Sequence, residues 1–350
     1  MNKLTKVGLS ALCGSLTAAS AAYAGEVSVS GGATASYQST SKRVTGNPIG
    51  INTGLTFTGS GELDGGQSFT WTLTQADQVA MSAGSISLTT NSLGTWRVGM
   101  VDGASGIDSK DDVSPTAWEE VDGTGMPVGH DKISGVGASM NVGWKSPKLL
   151  GSHLSLAYAP RNDGKAANDK SSTGSTGSDR YQYGYDVLLD LNVDHAFYLP
   201  NVFGGVSITH QEGDFATGGT KVVQYDDRRE AVAGVSFSIG PLKAGLQRSF
   251  EQPGNRADAE TDFYVNTGWG VSFNVNDDLS ISYGEHHSLR EFISSAANEN
   301  IRSEAKSIQV AYTLGGVAFK FAESEVDNAE YVSGSANDLE GRTIAMSLAF

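Results

Sequence analysis

The chain closes on Thr343-Ile344-Ala345-Met346-Ser347-Leu348-Ala349-Phe350, which alternates large apolar with small or hydroxylated side chains. Successive side chains of a strand point to opposite faces, so Ile344, Met346, Leu348 and Phe350 form one oily face. Thr343, Ala345, Ser347 and Ala349 form the other. The same period recurs in short runs from residue 26 onward. In a soluble protein the oily face would pack on a core supplied by other elements. Here the opposite face is Ser, Thr, Gly, Gln and Asn throughout, too polar for a dry interior. Strands oily outside and wet inside describe a barrel closed in a lipid membrane, where closure satisfies every backbone group.

The first 24 residues read differently. Lys3 and Lys6 form a positive n-region, Val7 to Ala22 a small-apolar stretch, and Ala22-Tyr23-Ala24 an A-x-A cleavage site. The alternative, a membrane anchor, fits poorly with a segment this short and Ser/Ala-rich. Residues 1–24 are therefore expected to be a removed signal peptide, leaving 25–350 as one barrel domain. The single cysteine, Cys13, leaves with the signal, which excludes a disulfide framework or a Cys-bearing metal site.

No linker, repeat or change of texture divides the remainder, glycine is abundant at 44 residues, and proline is scarce at 8. Helical apolar spacing is almost absent, so one large all-β unit fits better than two domains. The formal charge of −15 argues against nucleic acid as a partner. The acids concentrate in the connections and spare the strand cores.

Alternation between turn signals predicts strands at 26–37, 50–63, 67–76, 84–91, 95–101, 133–144, 151–161, 181–192, 201–211, 229–240, 242–250, 262–275, 279–288, 305–314, 317–325 and 342–350. That makes sixteen, an even number, as a single-chain bacterial barrel requires to bring both ends to one side. Tight connections such as Asp64-Gly65-Gly66, Gly240-Pro241 and Gly315-Gly316 alternate with long ones at 38–49, 102–132, 162–180, 212–228, 251–261, 289–304 and 326–341. Short turns on one rim and long polar loops on the other suit an outer-membrane barrel. Aromatics near strand ends, including Tyr37, Trp144, Tyr158, Trp269 and Tyr283, suit interfacial girdles. Within 262–275, Phe263, Val265, Trp269, Val271 and Phe273 are expected to face lipid, and Tyr264, Asn266, Ser272 and Asn274 the lumen.

With these features the chain resembles the sixteen-stranded general-diffusion porins of Gram-negative outer membranes, the alphaproteobacterial branch in particular. The resemblance is carried by the opening Glu26-Val27-Ser28-Val29-Ser30-Gly31, one outsized third loop at 102–132, and the terminal strand Arg342 to Phe350. It implies a homotrimer, passive diffusion of small hydrophilic solutes, and a third loop folded into the lumen as the constriction. It also implies that Phe350 belongs to the signal read by the barrel-insertion machinery, and that residues 77–83 lie where the family has a latch to the neighbouring subunit. Outer-membrane lipid and lipopolysaccharide are the expected surroundings, with no cofactor.

Residues 102–132 hold Asp102, Asp108, Asp111, Asp112, Glu119, Glu120, Asp122 and Asp131 against only Lys110 and Lys132. A connection of this length is uncommon unless functional or disordered. Either it is a solvated acidic surface loop, or it lies inside the barrel and presents Asp108, Asp111, Asp112, Glu119, Glu120 and Asp122 across the pore. Ile107, Val113, Trp118, Val121 and Met126 favour the second reading, because they could anchor the loop to the wall. An opposing basic row would sharpen discrimination of polar solutes. Arg97 and Lys320 are the candidates, each flanked by outward apolar residues; the dense arginine cluster of the resembling family is missing. Asp108, Asp111 and Asp112 also offer clustered oxygens for a hard cation such as Ca²⁺.

No Gly-x-Ser-x-Gly, His-Glu-x-x-His, P-loop or Gly-x-Gly-x-x-Gly pattern occurs. Glycines such as Gly268 and Gly270 fall within strands, where they mark bends or close packing. His286 and His287 alternate across a strand, so both cannot reach one metal from it. The expected function is a water-filled, mildly cation-preferring diffusion channel and not an enzyme. The competing functions are a channel selective for one nutrient, which aromatic rails or a basic ladder would betray, and a non-conducting surface-binding barrel, whose lumen should be bulky.

Overall fold

The computed structural model describes residues 25–42, 46–77, 82–100, 106–162, 180–193, 199–212, 225–294 and 298–350. The expected signal peptide, Asp102 and most of the expected latch lie outside the described residues. Sixteen strands form in chain order: β1 Glu26–Thr40, β2 Ile49–Glu62, β3 Ser68–Ala76, β4 Ala83–Thr90, β5 Gly94–Met100, β6 Asn141–Lys145, β7 His153–Ala159 and β8 Tyr181–Leu191. They continue as β9 Asn201–Gln211, β10 Arg228–Ile239, β11 Leu242–Gln252, β12 Thr261–Asn274, β13 Leu279–Phe292, β14 Ile301–Leu314, β15 Val317–Asp327 and β16 Leu339–Ala349. Each pairs antiparallel with its sequence neighbours, and β1 pairs with β16, so the sheet is a closed barrel. Closure removes both edges that an open sheet would present.

The register realises the period-two pattern. On the outer face Tyr37 lies opposite Ile344, Ala35 opposite Met346 and Ala33 opposite Leu348. On the inner face Thr34 and Ser347 share a hydroxyl hydrogen bond of 2.8 Å, as do Thr72 and Ser85 at 2.8 Å and Thr56 and Thr74 at 3.2 Å. The expected faces of β12 hold: Tyr264, Asn266 and Ser272 are buried inside, while Val271 and Phe273 are exposed outside.

The terminal residue completes the seam. The Phe350 N–H donates to the Gly31 carbonyl at 3.0 Å, and the Gly31 N–H donates to the Phe350 carbonyl at 2.8 Å. Its ring stays 64% exposed on the outer rim. Phe350→Ala keeps both backbone bonds, so refolded barrel stability should change little, whereas delivery to the membrane should fall if the ring is read during insertion. Immunoblots of outer-membrane fractions check this; equal levels of variant and wild type would refute it.

One boundary departs from expectation. The strand expected at 133–144 begins only at Asn141, and residues 133–140 remain with the preceding connection. Ile133 and Val136 are apolar because they pack on other residues inside the barrel, not because they alternate in a strand. In the opposite sense, β13 and β14 run beyond the expected 279–288 and 305–314, to Phe292 and from Ile301.

Candidate functional site

The connection between β5 and β6 is the distinctive element. A glycine at φ 129°, Gly106, turns the chain into a single 3₁₀ turn at Ile107–Lys110. From there residues 106–140 run along the inner faces of β8 through β16 and back. Asp186 on β8 accepts the Ile107 N–H at 3.3 Å and the Val136 N–H at 3.2 Å, so one carboxylate holds both legs of the loop. Glu230 on β10 accepts the Ser134 N–H at 2.7 Å and the Gly135 N–H at 3.2 Å. Arg228 pairs with Glu230 at 3.1 Å and Glu251 at 2.8 Å, so these buried carboxylates have a counter-charge.

Two inward glutamines act as backbone surrogates. Gln247 on β11 accepts the Val113 N–H at 2.7 Å and donates to the Lys110 and Asp111 carbonyls at 3.1 and 2.7 Å. Gln309 on β14 accepts the Glu119 N–H at 2.9 Å and donates to the Glu119 carbonyl at 2.8 Å. A loop without its own ladder still needs its buried polar groups paired, and these amides meet that need. Ser282 accepts the Ala117 N–H at 2.8 Å, and Asn266 donates to the Asp131 carbonyl at 2.8 Å.

Apolar contacts complete the attachment. Ile107 and Ile133 are buried with Leu188, Phe203 and Val232 of the wall, with Val113 packed beside them. Val121, Met126 and Val128 form a second cluster with Ala305, Val326, Ala329 and Leu339. Fully burying a side chain of this size contributes about 1.5–3 kcal/mol. The wall is shaved to admit the loop. A Cβ on Gly270 would lie 2.6 Å from the Pro115 carbonyl oxygen, one on Gly284 2.6 Å from Val121 Cγ2, and one on Gly205 2.6 Å from Ile107 Cγ2. Of the two reasons for glycine in these strands, close packing is the operative one.

The structure sorts the acidic residues expected at the pore. Glu119 is exposed, and Asp111 and Glu120 are half-buried. Asp112 and Asp122 instead turn toward the wall, with side chains only 2% and 6% exposed. Asp108 lies against Gly137, within the loop itself. The expected continuous acidic row is thus reduced, because anchoring consumes part of it. Glu120 pairs with Lys132 at 2.5 Å, and Lys132 also reaches Asp122 at 2.9 Å. Burial raises the Asp111 pKa above the usual carboxylate range, and it raises that of Glu120 despite Lys132. Burial also opposes ionisation of Asp122, but the imidazoles of His130 and His286 outweigh it and hold that group low.

The expected basic partners do not face this row across the lumen. Arg97 points inward but is 7% exposed, with Nη2 donating to Asn141 at 3.2 Å beside the root of the loop. Lys320 lies on the loop's own side, its Nζ 5.6 Å from the Trp118 ring centre. The inner faces of β2, β3 and β4, which the loop leaves uncovered, present Thr56, Thr58, Thr70, Thr72, Ser85 and Ser87 and no base. Nor do Asp108, Asp111 and Asp112 converge on a cation: Asp111 accepts the Asp112 N–H, while Asp112 turns to Ser114 and His286. The anchors Asp186, Glu230, Gln247 and Gln309 were not singled out from sequence. Their signal is there, as large polar residues breaking the small-residue inner face.

No curated protein matches the chain in sequence. Among solved structures it is similar to Salmonella typhi OmpF in complex with daunomycin, at 10% identity and a TM-score of 0.65, covering 93% of this chain and 98% of that one. It is similar to the trimer form of Vibrio cholerae OmpT, at 11% identity and a TM-score of 0.64, covering 93% and 100%. A mutant of Rh. blastica porin matches at 14% identity and a TM-score of 0.54, covering 93% and 100%. These likenesses establish the fold. A sequence model described as Gram-negative porin matches residues 8–328, nearly the whole barrel, and the chain accordingly belongs to that family of outer-membrane channels.

Proposed function

We propose that this porin is a passive, water-filled channel for ions and small hydrophilic solutes, mildly cation-preferring, with residues 106–140 as its constriction. The observation that carries the reading is a clamped loop whose water-facing charges, Asp111, Glu119 and Glu120, stand across from a wall of hydroxyls. A carboxylate field with no opposing base favours cations and produces only a weak transverse field. The small inner side chains of β2–β4 favour an open lumen over a plugged one, and offer neither aromatic rails nor a basic ladder to favour one nutrient.

The assembly proposed is a homotrimer. The outer faces of β1 to β5 carry Val29, Ala33, Ala35, Leu55, Trp71 and Val98 and no charged side chain within the strands. By contrast, β14 to β16 expose Arg302, Glu323, Glu325 and Arg342 above their apolar halves. That division suits subunit packing on the first side and polar lipid headgroups, lipopolysaccharide included, on the second. Residues 1–24 are proposed to be the removed export signal, and Phe350 the mark read by the insertion machinery. Passive diffusion requires no cofactor.

Single-channel recording of the purified protein in a planar bilayer tests the reading. Conductance should appear in triplet steps, with a reversal potential of cation sign in a salt gradient. An absence of steps would favour the attachment barrel, and block by a single nutrient at low concentration would favour a selective channel.

A further inference from the structure

His286 on β13 points inward, and the loop brings two carboxylates and a second imidazole to it. His130 Nδ1 lies 3.5 Å from Asp122 Oδ2, and His286 Nδ1 lies 3.6 Å from the same oxygen and 3.7 Å from Asp112 Oδ2. The side chains of His130, His286, Asp112 and Asp122 are 0%, 2%, 2% and 6% exposed. His130 Nδ1, both ring nitrogens of His286 and Asp112 Oδ2 are buried without a hydrogen bond. Buried groups of this kind are rarely left so, because each carries a desolvation cost of about 1–3 kcal/mol.

We propose that His130, His286 and Asp122, with Asp112 beside them, form a binding site for a first-row divalent transition ion of the Zn²⁺ type. Ligand atoms at zinc bond lengths in a tetrahedron stand about 3.3 Å apart, close to the separations seen. The donor set points the same way: imidazole nitrogen with carboxylate suits Zn²⁺, whereas Ca²⁺ and Mg²⁺ take oxygen alone. The surrounding bonds aim the ligands. His130 Nε2 is 2.9 Å from Ser303 Oγ, which leaves Nδ1 for the ion. Lys132 holds Asp122 Oδ1, which leaves Oδ2 facing the imidazoles. Outer contacts of this type set ligand orientation at metal sites. Asp112, Glu120 and Asp122 against Lys132 leave two uncompensated negative charges, matching a divalent ion. Since three of the groups belong to the loop and His286 to the wall, the ion would pin the constriction to the barrel. The site requires the loop to lie where it does, but not that the pore conduct.

The test uses full-length protein in detergent, stripped with chelator and titrated with Co²⁺ alone. One equivalent per subunit should produce the strong visible absorption of four-coordinate Co²⁺, and Zn²⁺ should abolish it. His286→Gln and His130→Gln should each weaken binding more than about 100-fold, and Ser303→Ala about 10-fold. His210→Gln and His287→Gln, which alter half-exposed histidines elsewhere on the barrel, should bind as wild type. A wild-type protein with no such band at one equivalent overturns the proposal without reference to any variant. So does a His286→Gln protein, trimeric and β-rich, that retains wild-type binding.

Discussion

Replacing Asp111, Glu119 and Glu120 together by their amides should move the reversal potential in a salt gradient toward anions and reduce the cation-to-anion permeability ratio several-fold. These are the expected constriction acids that reach water, and they hang on a loop whose backbone is held by Gln247 and Gln309. Two unit charges 4 Å apart interact by about 1 kcal/mol in bulk water, and the Debye length at 0.15 M salt is ~8 Å. An aperture of comparable radius therefore feels the loop across its full width, more strongly at low salt. Adding Asp108→Asn and Asp112→Asn should shift the ratio little further, since those side chains face the loop interior and the wall. Recordings with chelator present keep this result independent of any bound ion. An unchanged reversal potential in the triple variant would place the charges away from the ion path and overturn the constriction.

Gly270→Val and Gly284→Val should each lower single-channel conductance and raise open-channel noise. A side chain at Gly270 meets only Pro115 of the loop, so the loop must lift toward the lumen. One at Gly284 meets the Val121 side chain and also the Trp269 carbonyl oxygen of β12 at 2.8 Å, so the loop and the neighbouring strand must both give. Overpacking typically costs about 1–3 kcal/mol, much less than unfolding a closed sixteen-stranded barrel, so the protein should still assemble. Gly316→Val is the control, because a Cβ there meets nothing within 4 Å. Wild-type conductance in both wall variants would mean that the loop does not set the aperture. The noise should increase because Ser282 and Gln309 hold their partners only while the loop lies flat against β13 and β14.

The connection between β15 and β16 adds to the same clamp. Glu330 and Tyr331 adopt φ of 58° and 55°, a region that costs non-glycine residues about 1–3 kcal/mol each. The strain aims the Glu330 N–H at the Val128 carbonyl, 2.7 Å away, and the Tyr331 hydroxyl at the Asp131 N–H, 2.8 Å away. A second loop is thus bent inward to hold the first.

The sequence alone determined the number of strands, the lipid-facing and lumen-facing residues, and four apolar anchors of the long loop, Ile107, Val113, Val121 and Met126, whereas Trp118 joins neither buried cluster. Each follows from a local rule: backbone geometry sends neighbouring side chains to opposite faces, and an oily residue in a polar loop needs cover. The expectation failed at 133–140, where Ile133 and Val136 stand three residues apart and would fall on opposite faces of a strand; burial against the wall accounts for both. The tertiary structure alone decided which acids meet water. Asp112 and Asp122 are spent on the wall while Glu119 is exposed, yet nothing in the order Asp112, Glu119, Glu120, Asp122 separates them. It alone decided, too, that Asp186 would close the loop and that His130 would meet His286. Those contacts join residues far apart in the chain, and they depend on barrel closure, strand register and the path of the loop, which no short-range periodicity encodes.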